Sequence, residues 1–102
     1  MTTMYNPPPH PGEFINGAYL EPLGISIREA AKKLDVSPST FARLISGKSN
    51  ISPIMAMKLS KAFGRSPESW MQMQANYDLW SVRDSANLRN VSIIYAHALD
   101  FD

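Results

Sequence analysis

The sequence predicts an all-α fold of five short helices. Three observations support this. Apolar residues recur at helical spacing, Ser-Pro pairs at 37–38, 52–53 and 66–67 stand where helices open, and Gly24, Gly47 and Gly64 stand where they close. A first helix runs from Pro11 to about residue 20, with Phe14, Ile15, Ala18 and Tyr19 on one side and Pro22, Gly24 and Ile25 ending it. The second opens at Ser26, three residues before Glu29, the spacing of a capping box. Ile27, Ala30, Ala31 and Leu34 form its apolar face, while Arg28, Glu29, Lys32 and Lys33 face out. Asp35 can hold the left-handed conformation of a sharp turn. Ser37-Pro38 starts the third helix, which turns Phe41, Leu44 and Ile45 inward and Ser39, Thr40, Arg43 and Ser46 outward before Gly47 stops it. The fourth runs from Ser52-Pro53 to Phe63, burying Met55, Leu59, Ala62 and Phe63 behind an outer basic row of Lys58, Lys61 and Arg65. Ser66-Pro67 caps a fifth helix reaching about residue 84, striped by Trp70, Met73, Tyr77 and Trp80.

The 102 residues suit one domain. Its parts are a proline-rich arm at 1–9, a helical body at 10–85 with its helix-turn-helix at about 26–47, and a short C-terminal extension at 86–102. In that extension Val91, Ile93 and Tyr95 alternate like a strand, whereas Ile94, Ala98 and Phe101 fit a helical face, and both readings stay open. A 44% hydrophobic and 19% charged composition is globular and not disordered. The absence of cysteine rules out a disulfide framework or thiolate metal site and suits a reducing cytoplasm. No apolar run approaches membrane-spanning length, and the N-terminus lacks a signal-peptide layout, so no membrane partner is expected.

Enzymatic chemistry finds no footing. His10 and His97 lack metal-ligand spacing. Gly12, Gly17 and Gly24 form no phosphate-cradling loop, and no serine or threonine sits in a nucleophile elbow. Asp78 and Asp84 do not share a helix face, and Asp100 and Asp102 belong to an acidic terminus. No cofactor is expected.

The charge distribution says more than the net value of +1. Residues 1–66 hold eight Lys/Arg against four acids, and residues 67–102 hold Arg83 and Arg89 against five acids. A basic body and an acidic end point to two surfaces with different partners. The third helix, with small polar groups and one arginine on its free face, suits a DNA major groove. Arg43 can pair with guanine O6 and N7, and Ser39 and Thr40 can reach a base edge. Ser37 at the helix start suits a phosphate, as do Ser46, Lys48, Ser49 and Asn50 at and beyond the helix end. The aromatic stripe of the fifth helix exceeds what a small core needs, so Tyr77 and Trp80 are expected at a homodimer interface.

Residues 26–48, SIREAAKKLDVSPSTFARLISGK, resemble the helix-turn-helix of the XRE/Cro-like repressors. The chain departs from that pattern at Ile27, where relatives often carry Gln on a phosphate, and at Asp35, where they often carry Gly. Arg28 is therefore expected to take the phosphate. The flanking motifs, His10-Pro11-Gly12-Glu13, Glu21-Pro22-Leu23-Gly24-Ile25-Ser26, Gly47-Lys48 and the run from Trp70 to Trp80, resemble HigA-type, VapI-like antitoxins over about residues 8–80. The resemblance implies a lambda-repressor-like fold and a dimer that binds its own operator. It also implies neutralisation of a small basic toxin, a RelE/HigB-like ribonuclease. A stand-alone repressor without a toxin, or an interaction module that lost DNA binding, would share the same scaffold.

Overall fold

Five capping side chains set where the helices begin. His10 Nδ1 accepts from Gly12 N at 2.9 Å, and Ser26, Ser37, Ser52 and Ser66 accept through Oγ from Glu29, Thr40, Met55 and Ser69 backbone N–H groups at 3.0–3.1 Å. All but Ser26 are followed by proline at the first helical position, where a missing N–H costs nothing. The computed structural model describes residues 7–95, so the expectations for residues 1–6, His97, Ala98, Asp100, Phe101 and Asp102 lie outside the described residues.

Among the described residues there are five helical elements and no strand. Helix α1 covers residues 11–23 as an α-helical turn (Pro11–Ile15), a π-helical turn (Asn16–Leu20) and a last α-helical turn (Glu21–Leu23). It is followed by α2 (Ile27–Leu34), α3 (Pro38–Ile45), α4 (Pro53–Phe63) and α5 (Pro67–Val82). The all-α, lambda-repressor-like expectation is met, with two local corrections. Helix α1 does not stop near residue 20. Pro22 lacks an N–H, and in an α-helix its ring would press on the Ala18 carbonyl. The wider π turn just before it makes room, with Glu21 N–H donating five residues back to Asn16 O. The inserted turn rotates the face, so Ile15 and Leu20 are buried while Ala18, expected inside, is exposed. In α4 the buried stripe is Met55, Ala56 and Leu59, which turns Ala62 outward.

Three helices end alike. Gly24, Asp35 and Gly47 take positive φ of 66°, 59° and 82°. The next amides, of Ile25, Val36 and Lys48, donate back to Leu20, Ala31 and Arg43 carbonyls at 2.8–3.0 Å. Asp35 serves where glycine would cost less, as short polar side chains can. Lys58 Nζ donates to its carbonyl at 2.9 Å, tying the turn to α4.

The core joins Ile15 and Leu20 of α1, Ala30, Ala31 and Leu34 of α2, Phe41 and Leu44 of α3, Met55, Ala56 and Leu59 of α4, and Trp70 of α5. Ala31 is wholly buried, as a close α2–α3 approach demands. Gly12 permits a second close approach, since a Cβ there would collide with the Leu44 carbonyl oxygen at the end of α3. At the opposite end Tyr19 stacks on Phe63 at 4.5 Å and Phe14 meets Trp70 edge-on at 6.1 Å. Arg65, held at φ 65°, lies over Phe14 and Trp70 at 5.3 and 5.5 Å. Residues 83–95 are exposed throughout.

Candidate nucleic-acid interface

Helix α3 presents Ser39, Thr40 and Arg43 to solvent, and all three are exposed. Ser39 and Arg43 are four apart and so share one face, with Phe41 and Leu44 anchoring the other in the core. The Arg43 guanidinium is outside, its Nη2 reaching the Lys48 carbonyl at 3.4 Å. That contact leans the side chain along the helix end without burying it.

The expected phosphate contacts divide into two groups. Arg28 in the first turn of α2 and Lys48 after α3 are exposed cations. Ser49 is half-buried and Asn50 exposed in the loop beyond them. Ser37 and Ser46 are engaged within the chain. The Ser37 hydroxyl caps Thr40 N and donates to Thr40 Oγ1 at 2.8 Å, and Ser46 Oγ donates to the Arg43 carbonyl at 3.2 Å.

Sequence reasoning missed Gln74. It lies on α5, and its side chain bonds to residues 50, 51 and 78. Its position four after Trp70 and three before Tyr77 puts it on the buried stripe, and a polar residue there was the available signal. His10 is the cap of α1 and is itself buried. Its ring meets Tyr77 edge-on at 4.9 Å and underlies Gly47. Burial pushes its pKa below the usual imidazole value, opposed by the Ser49 backbone carbonyl and by Asp78 and Glu13. Tyr77 and Trp80 are both half-buried within the chain, and the Arg83 guanidinium lies 3.3 Å from the Trp80 ring centre.

Among the described residues no cluster of acidic, histidine or cysteine side chains could hold a metal ion, and no helix is long and apolar enough to cross a membrane. Two short helices braced at an apolar seam, with a polar face and flanking cations, define a helix-turn-helix protein. Residues 18–70 match the helix-turn-helix family. Virulence-associated protein A′ of Dichelobacter nodosus is 54% identical over 76 residues, 74% of this chain, and this chain spans 65% of its length. Antitoxin HigA-1 of Vibrio cholerae is 37% identical over 73 residues, 72% of this chain and 69% of that one. The Pseudomonas aeruginosa antitoxin HigA, solved with the higBA promoter, superposes with a TM-score of 0.73 at 32% identity, covering 76% of this chain and 85% of that one. The chain belongs to the XRE/Cro-like helix-turn-helix family, alongside HigA antitoxins and VapI-like virulence-associated proteins. This is a family of DNA-binding regulators and not of enzymes.

Proposed function

We propose that the chain is a cytoplasmic antitoxin. It binds operator DNA as a homodimer, represses its own operon and neutralises a small basic toxin, a RelE/HigB-like ribonuclease. The observation that carries this is the outward set of Ser39, Thr40 and Arg43 on one face of a core-anchored helix. Arg43 reads guanine through two parallel N–H donors, Thr40 and Ser39 meet neighbouring base edges, and Arg28, Lys48, Ser49 and Asn50 fix the register on phosphates. Two copies would read half-sites about 34–36 Å apart, one turn of the duplex. Tyr77 and Trp80 on α5, each half-buried within the chain, supply the seam between them. The acidic end of the chain offers a basic toxin a surface away from α3.

Gel-shift titration on the DNA upstream of its own gene at two salt concentrations tests the interface. Arg43→Ala should weaken specific binding by ~1–3 kcal/mol and relax the preference at one base pair. Lys48→Ala should weaken binding to every sequence and flatten the salt dependence. Identical behaviour of the two variants would remove the assignment. Co-expression with the product of the adjacent open frame, followed by pull-down with residues 1–9 or 86–102 deleted, tests the toxin. Operator binding with no captured neighbour would identify a stand-alone repressor instead.

A further inference from the structure

Gln74 lies midway along α5, 4% exposed, with every polar hydrogen of its amide used. Its Oε1 accepts from Ile51 N at 2.8 Å, and its Nε2 donates to Asn50 Oδ1 at 3.1 Å and Asp78 Oδ1 at 3.0 Å. The bond to a backbone N–H settles which end of the amide is oxygen, because an NH2 group there would face another donor. That orientation in turn settles Asn50. With its oxygen committed to Gln74, Asn50 is left with Nδ2 as its outward group. An outward NH2 donates to a phosphate oxygen, whereas an outward carbonyl oxygen would repel one. The same loop is closed onto the recognition helix by Lys48 N to Arg43 O at 2.8 Å and Gly47 N to Leu44 O at 3.1 Å.

Resting on the DNA-binding reading above, we propose that Gln74 is a positioning residue for DNA binding. From inside the fold it holds residues 50 and 51 and turns the donor side of the Asn50 amide toward the sugar-phosphate backbone. Gln74 never touches DNA. Its role also links α5 to the phosphate-tracking loop, so the helix proposed to join two copies aligns the contacts each copy makes.

A charge-neutral swap tests this. In Gln74→Glu/Asp78→Asn the new carboxylate still accepts from Ile51 N, and residue 78 now donates. Asn50 must then turn its NH2 inward and its oxygen out. The expected result is a cooperative fold with roughly tenfold weaker binding to operator and to unrelated duplex alike. The salt slope should stay unchanged, because an uncharged amide neutralises no phosphate and releases no counterion, which separates this loss from that of a cation such as Lys48. Asn50→Ala should lose a similar factor, and adding it to the swap should cost nothing further, since contacts through one group are not additive. Wild-type affinity in the swap, or losses that multiply, would overturn the proposal. So would an unchanged affinity in Asn50→Ala, an exposed position readable whether or not the swap folds. Should the unaltered protein bind DNA no better than Arg43→Ala does, the base-reading face itself fails and this inference falls with it.

Discussion

His10 caps α1 through Nδ1, which must therefore carry no proton, while its Nε2 is buried without a hydrogen-bond partner among the described residues. Charging that ring inside the fold is costly, and burial outweighs the opposing pull of Ser49, Asp78 and Glu13. The unfolded chain takes up the proton at about pH 6.5, and the folded chain only lower. The unfolded state thus binds more protons in that window, so stability falls as pH drops through about 6.5 and is regained above it. Thermal midpoints between about pH 7.5 and 5.5 should fall further for the native protein than for His10→Asn, which keeps a capping acceptor but does not titrate. Parallel curves would contradict the assignment. That His10 stands just ahead of a helix start was readable from Pro11. Its burial beneath Gly47 and beside Tyr77 depends on contacts 37 and 67 positions away, which no local pattern encodes.

At the scale of helices, the Ser-Pro starts and the positive-φ stops were legible because capping is a matter of neighbours three or four residues apart. The inner faces were mostly legible for the same reason. The exceptions, Ala18 and Ala62, show its limit. The π turn shifts the face of α1, so Leu20 takes the buried place that 3.6-residue spacing gave to Ala18, while Phe14, Ile15 and Tyr19 stay on the core side. Ser37 illustrates a different ambiguity, since a serine opening a recognition helix suits both cap and phosphate. Its hydroxyl both accepts from and donates to Thr40. Ser37→Ala should therefore cost about 1 kcal/mol of stability, read by denaturant titration, and leave the DNA affinity of the folded protein unchanged. Weaker binding to operator and unrelated duplex alike would restore the serine to the phosphate contacts.

For the whole molecule, the decisive question is how α5 is used. Trp70 closes the core completely and Met73 packs against it, leaving the second half of the stripe partly exposed. Leu79, 68% exposed, and Val82 lie on the other side of α5, so the surface offered for pairing is the outer part of the Tyr77–Trp80 stripe itself. Trp80→Asp should convert a dimer to a monomer by sedimentation velocity and cut operator affinity sharply, because two half-sites are then read independently. A dimer that persists would place the seam elsewhere. The proposed function divides the charge the same way, assigning the basic helix-turn-helix half to phosphates and the acidic half to protein partners.

The sequence by itself determined the number of helices, their starts, the stops of all but α1, and which side chains of α3 face outward, since each follows from interactions within about one helical turn. Only the tertiary structure decided that Gln74 reaches across 23 residues to Ile51 and orients Asn50, and that Pro22 is absorbed by a widened turn. Such choices arise when packed helices compete for one buried hydrogen bond or one unit of volume. That competition is set by which elements meet, and no window of a single helix contains it.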